Sequence, residues 1–467
     1  MTDERFRFTL ILFTYYGSIP LNIFGWLKPP PHIAEIQDQD VVKKNYKYWR
    51  MRIFLGMYVG YIFYYFTRKS FTFAMPAMMT ELGFDKSDIG ILASVLSISY
   101  GVSKFVSGVM ADRSNPRYLM GFGLILTGLF NIFFGLSSSV LVFAIFWGLN
   151  GWFQGWGWPP CNRLLTHWYS QKERGRWWGA WNTSHSVGGA LIPIIVAVCV
   201  QMFGWRFAMF VPGVMCIGVG FFLLNRLRDT PQSLGLPPIE KFKDDYPRGK
   251  KLEESELSVK EIILKHVITN KYIWILSASY FFLYVVRTAV NDWTLLYFVQ
   301  TKGYSYLVAG ACVFWFEIGG FCGSLVAGWA SDKIFDGRRG PVSILFCFGM
   351  IFAVLAFWLS PNLPLVDSFL MFVVGFLVFG PQLLIGMSAA ELSHKKAAAT
   401  SNGFVSCISY LGAAAAGYPL GTLTQIWGWQ GFFIILVICC VVSMALLLPL
   451  WSVKSNPAYT DEEATKA

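Results

Sequence analysis

The 467 residues are 55% hydrophobic and only 14% charged, with 18% aromatic side chains and a mean hydropathy of +0.49; a soluble globular chain is roughly 25% charged. That balance points to a chain solvated by lipid. The net charge of +11 does not indicate nucleic acid, because Lys and Arg cluster in short connections between apolar runs. The nine cysteines lie inside those runs without metal-ligand spacing, so neither a disulfide framework, a zinc site nor a cofactor is expected.

Along the chain, the first apolar stretch is FTLILFTYYGSIPLNIFGWL at 8–27. It can be read as a signal peptide, a further span, or an interfacial helix broken near Pro20. The last is favoured, because no small-residue cleavage site follows. Twelve segments then approach the roughly 20 apolar residues that a spanning helix needs: 53–78, 88–111, 118–137, 139–161, 177–202, 206–225, 272–298, 307–330, 341–360, 366–390, 398–424 and 430–452. The expected division is a cytoplasmic or interfacial segment at 1–52, a six-helix bundle at 53–225, a polar linker at 226–271, a second bundle at 272–452 and a polar tail at 453–467. Basic residues concentrate before the first span, in the linker and in every second loop, which predicts cytoplasmic termini.

The two halves repeat. GVMADR at 108–113 and GWASDK at 328–333 close the second and eighth spans, with Asp112 and Asp332 220 residues apart. The same shift places Asn182 on Asn402 and brings Arg68 within one residue of Arg287. A parallel six-plus-six repeat marks two bundles related by an axis along the membrane normal, with substrate between them at the midplane.

Six ionisable residues stand inside spans: Arg68, Lys69, Lys104, Arg287, Asp292 and Glu317. Such residues are costly unless paired or functional. Arg68 and Arg287 each lie 15 residues into their span, roughly 22 Å along it. The six carry a surplus of two positive charges, which a divalent phosphate monoester cancels. A guanidinium suits that ligand because its planar fork of donors matches phosphate oxygens. Lys69, Asp292 and Glu317 read as structural ion pairs, and Lys104 as either ion pair or ligand. His185 and Asn182 share one face of the fifth span, beside Gly188 and Gly189, and can either pack or line a pocket. Tyr61, Tyr65 and Tyr284 lie deep in the spans that carry the arginines, where a phenol can donate to an anion or stack on a sugar.

Several ordered motifs resemble the organophosphate:inorganic-phosphate antiporters of the major facilitator superfamily: YYFTRKSF at 64–71, YGVSKFVSG at 100–108, DRSNPRY at 112–118, GWPPC at 157–161, SQKERG at 170–175, WNTSHSVGG at 181–189, FLYVVRTAVNDW at 282–293 and FGPQLLIGM at 379–387. GWASDKIFDGRRG is similar to the superfamily's loop motif. The resemblance implies an all-α membrane protein of twelve helices in two pseudo-symmetric bundles. It also implies phosphate binding by Arg68 and Arg287 with His185 nearby, and locking of the cytoplasmic ends by Asp112, Arg113, Asp332, Lys333, Arg338 and Arg339. Within the family the chain looks most like the hexose-phosphate branch. Asn402 and Val405 stand where the bacterial exchanger carries Asp and Lys. The expected activity is exchange of a sugar phosphate, glucose 6-phosphate foremost, for inorganic phosphate in a bacterial inner membrane. The alternative is a receptor for external hexose phosphate that signals to a histidine kinase. An ATP-driven pump is not expected without a G-x-x-x-x-G-K-[ST] loop, nor an enzyme without HExxH or a nucleophile–base dyad.

Overall fold

The computed structural model describes residues 27–244, 264, 267–393 and 398–453; the stretch at 8–26 lies outside them. All regular elements among the described residues are helical. The first half contains α1 (Gln39–Leu82), α2 (Lys86–Arg113), α3 (Pro116–Gly135), α4 (Val140–Gln154), α5 (Trp158–Trp168), α6 (Gln171–Phe203) and α7 (Phe207–Arg226). The short α8 (Ile239–Lys243) belongs to the linker. The second half contains α9 (Lys271–Thr301), α10 (Tyr306–Lys333), α11 (Arg339–Trp358), α12 (Pro364–Glu391), α13 (Ala398–Ala415) and α14 (Tyr418–Leu447).

Local sequence explains where these helices begin and end. α1 starts at Gln39, earlier than the apolar run, because the Asp38 carboxylate accepts hydrogen bonds from the free Asp40 and Val41 amides. It stops at Gly83, whose φ of 70° places it in the left-handed region. Asp85 and Asp88 form a reciprocal capping box at the start of α2. The expected fourth span is two helices, because two glycines and then Pro159 and Pro160 interrupt hydrogen bonding between α4 and α5. The eleventh and twelfth spans meet inside α14, at Gly428 (φ 67°, ψ −170°). Before that glycine the chain runs up α9, with Gly412 against Phe281 and Ala416 O accepting from Trp293; beyond it, Ser443 bonds Ser279 near the start of α9. The chain therefore reverses at Gly428. Nine stretches among the described residues are long and apolar enough to cross a membrane. One of them holds both the eleventh and twelfth spans, and α1 and the broken α4–α5 complete the twelve.

Large apolar side chains such as Leu141, Met202 and Leu365 are exposed on the outside of the helices, as lipid contact requires. Within each half, small residues permit close helix approach. On α10, the Gly319 and Gly323 Cβ positions are taken by the backbone of α12 at Phe372 and Phe376. The halves meet through α2 against α13 and α14, α6 against α10, and α1 against α9. Under the 220-residue repeat the first two contacts exchange, which is the expected pseudo-twofold relation.

The contact between halves is closed at one end only. A Cβ on Gly90 would lie 2.8 Å from the Gly417 oxygen, the Ser94 hydroxyl donates to Ala414 O at 2.6 Å, and Gly101 faces Tyr410. Two turns further along α2 and α13, Gly108 and Gly403 have nothing among the described residues within 4 Å of their Cβ positions. The halves are thus zipped on the side away from the linker and parted on the linker side. Cys407, on the same face of α13 as Gly403 and Tyr410, is exposed while the other described cysteines are buried or half-buried. Gly90→Val is expected to wedge the zipped end apart, at a cost of about 1–3 kcal/mol. Labelling of Cys407 by an impermeant maleimide from the linker side should then slow about fivefold or more. Unchanged labelling would show that this contact does not hold the far side shut.

Candidate functional site

Arg68 is built into α1 through a buried polar network of the first half. Asn131 of α3 donates to Met209 O of α7 at 2.7 Å, and Ser70 donates to Asn131 at 3.2 Å. Gln154 of α4 donates to the Thr67 hydroxyl at 2.9 Å. That bond fixes the amide, so the Gln154 oxygen accepts from Arg68 Nε at 3.3 Å. The guanidinium lies over the rings of Tyr100 (4.3 Å) and Tyr65 (4.9 Å). Arg287 of α9 lies over Phe379 (5.0 Å) and Tyr284 (5.2 Å). Aromatic faces hold a cation without consuming its hydrogen-bond donors.

The two arginines share surroundings. Both charges act on Tyr65 of α1, on His185 of α6 and on Tyr410 of α13. Both arginine residues are half-buried rather than fully buried, although they stand mid-span against aromatic rings. Among the described residues, Arg68 Nη2 and Arg287 Nε are buried without a hydrogen-bond partner. Buried donors are ordinarily satisfied; these two are free for an anionic acceptor.

The remaining expected residues surround this centre. Lys69 and Asp292 form a 2.6 Å ion pair across the two halves. Glu317 is buried beside Gly189 of α6, where a Cβ would sit 3.4 Å from its carboxyl carbon, and it feels the charges of Arg287 and Lys69. No ion pair closer than 4 Å is found for it among the described residues. Lys104 has aromatic neighbours, Tyr410 at 5.4 Å and Trp158 at 5.7 Å. His185 bonds the Asn182 backbone and lies 5.9 Å from the Tyr65 ring. Asn182 itself is exposed one turn nearer the linker side. Tyr61 packs with Trp158 and Trp181, and Tyr284 with Tyr280 and Tyr410.

The loop residues of the second half cluster together. Arg339 joins Asp332 and, at 3.1 Å, Glu391, all within the second half. Arg338 donates to Phe335 O, and Lys333 is exposed. This cluster ties α10 to α11 and α12. The side chains of Asp112 and Arg113 lie outside the described set.

Sequence reasoning missed Tyr100, Tyr410 and Gln154. Tyr100 could have been found one turn before Lys104, and Gln154 as an amide in an apolar run. Tyr410 has no such signal, because only the packing of α13 on α2 brings it to Arg68.

The sequence profile described as Major Facilitator Superfamily matches residues 57–417. The chain is 58% identical over 439 residues to a probable hexose phosphate transport protein of Chlamydia pneumoniae, covering 91% of this chain and 96% of the relative. It is 50% identical to the membrane sensor protein UhpC of Escherichia coli (91% and 97% covered) and 40% identical to the glycerol-3-phosphate transporter of Bacillus subtilis (92% and 98%). Among solved structures, a bacterial homolog of the human lysosomal transporter Spinster superposes with a TM-score of 0.67 at 15% identity, covering 88% of this chain and 99% of the other. That likeness concerns the fold. With twelve spans, a two-half repeat and these relatives, the chain belongs to the major facilitator superfamily, in its organophosphate:inorganic-phosphate antiporter branch.

Proposed function

We propose that this protein exchanges a phosphorylated hexose, glucose 6-phosphate foremost, for inorganic phosphate by alternating access. The observation that carries the reading is a pair of guanidinium groups, one from each half, with shared neighbours and unfilled donors. A phosphate between them accepts hydrogen bonds from both halves at once. With Lys69 and Asp292 paired, Arg68, Lys104 and Arg287 face the single carboxylate of Glu317, a surplus of two that matches a dianion. The aromatic group of Tyr61, Tyr65 and Trp158 offers faces for the sugar ring.

Obligatory exchange follows from electrostatics. Closing an empty site brings two cations together where their repulsion is weakly screened. A bound dianion offsets that cost, so the loaded carrier reorients and the empty one does not. The names of the relatives support a phosphorylated organic cargo. The basic loops support a cytoplasmic linker and termini, and the bacterial relatives an inner-membrane location.

A sensor reading is favoured by the 50% identity to a protein named as a membrane sensor, and would add a histidine kinase as partner. Counterflow separates the two. Proteoliposomes loaded with unlabelled phosphate should accumulate labelled phosphate, and external glucose 6-phosphate should inhibit this. Saturable glucose 6-phosphate binding with no counterflow would reject the exchanger and leave the sensor.

A further inference from the structure

Away from the arginines, a cleft of about 290 Å³ opens between the start of α1, the start of α6 and linker helix α8. Lys43, Lys47 and Arg50 line it from one face of α1, and Lys243 from α8. Its floor is apolar, formed by Trp177 and Phe242, with Phe242 stacked on Tyr46 at 4.0 Å and 12°. We propose that this cleft binds the headgroup of an anionic phospholipid from the linker-side leaflet.

Charge is the first argument. Arg50 is spoken for by Glu173 at 2.5 Å. Burial alone would raise the Glu173 carboxyl, but the Arg50 hydrogen bond and charge outweigh it and hold it below the usual carboxylate range. Lys43 has only Asp40, at 3.8 Å with both side chains exposed, which is a weak pair. Glu35 is taken by Lys241 at 2.8 Å. Among the described residues, no carboxylate lies within ion-pair distance of Lys47 or Lys243. Glu240 of α8 acts on Tyr46 and Glu173 also feels Lys243, yet Lys43, Lys47, Arg50 and Lys243 outnumber these two carboxylates, so the cleft keeps a surplus of positive charge.

Depth and polarity select the occupant. Trp177 opens the apolar run at 177–202, just after the charged sequence QKERGR at 171–176, and Arg50 lies just before the apolar run of α1. The cleft thus sits at the polar–apolar boundary, where headgroups reside. A free phosphate gains nothing from a floor of Trp177 and Phe242, whereas the glycerol and first methylenes of a lipid cover it. The site also has leverage. α1 is one helix from Gln39 to Leu82, so a headgroup at Arg50 holds the rod that carries Arg68 roughly 27 Å further on. α6, whose first turns form the other wall, carries His185.

The test uses the full-length protein in uncharged detergent, with bound lipid followed by native mass spectrometry. Phosphatidylglycerol should be retained in preference to phosphatidylcholine. The exposed pair change Lys47→Ala/Lys243→Ala should weaken phosphatidylglycerol binding about 30-fold, and Lys47→Gln alone about fivefold. Phosphatidylcholine retention and the melting temperature in that lipid should stay at wild-type values. Equal retention of the two lipids, or unchanged phosphatidylglycerol affinity in the double variant, overturns the proposal. Displacement of the lipid by glycerol 3-phosphate as readily as by competing phosphatidylglycerol overturns it too, by making the cleft a site for the free ester.

Discussion

Replacing either Arg68 or Arg287 by lysine is expected to lower phosphate counterflow by about 100-fold while leaving membrane insertion intact. Lysine keeps the charge, so any loss reports the fork of donors rather than electroneutrality. Truncating one partner of a buried charged hydrogen bond costs about 2–5 kcal/mol, and a loss of about 2.7 kcal/mol, in the lower half of that range because lysine keeps the charge, corresponds to 100-fold. The two sites should not fail identically. Arg68 is oriented by Gln154, itself held by Thr67, whereas Arg287 rests against Tyr284 and Phe379. Gln154→Leu should therefore weaken exchange through Arg68, and its effect should vanish in an Arg68→Lys background. Counterflow within a few-fold of wild type in either lysine variant would remove the bidentate grip from the account.

The second large effect is expected at Asp292. Its pair with Lys69 spans the two halves at 2.6 Å, so Asp292→Asn leaves an unpaired ammonium in the conformation that has the linker side parted. Breaking a fully buried pair costs about 3–5 kcal/mol. These side chains are 13% and 17% exposed, which places the expected cost nearer 2–3 kcal/mol, a roughly 30- to 150-fold shift away from that conformation. Maleimide labelling of Cys407 from the linker side should slow accordingly. Removing both charges, as Lys69→Met/Asp292→Leu, should restore much of the labelling, since the loss comes from the orphaned charge. If single and double variants label alike, the pair is not what holds the halves in this arrangement.

These expectations rest on features of uneven visibility in the sequence. A guanidinium in the middle of an apolar run is conspicuous, and so Arg68 and Arg287 stood out, as did the six charges and the 220-residue repeat. Twelve spans followed from hydropathy. So did the break between the spans at 398–424 and 430–452, where the left-handed backbone of Gly428 carries the reversal. Some boundaries did not. The first turns of α1 are polar and pack on the linker, with the Tyr46 hydroxyl donating to Pro237 O, so an apolar-run criterion begins that helix too late. Tyr100 and Tyr410 were hidden for another reason. Tyrosine is common in membrane helices, and which ones face a cation depends on packing between halves separated by hundreds of residues. The paired glycines and serines that close the far side, Gly90, Ser94 and Gly417, likewise acquire meaning only once α2 is seen against α13 and α14.

The shared grip is tested most directly by locating bound glucose 6-phosphate in an experimental structure of the complex. The account predicts a single phosphate with oxygens about 2.7–3.2 Å from nitrogens of both Arg68 and Arg287, and the sugar against the Tyr61, Tyr65 and Trp158 rings. A phosphate held by one arginine alone, or seated outside the space between the two halves, would contradict it.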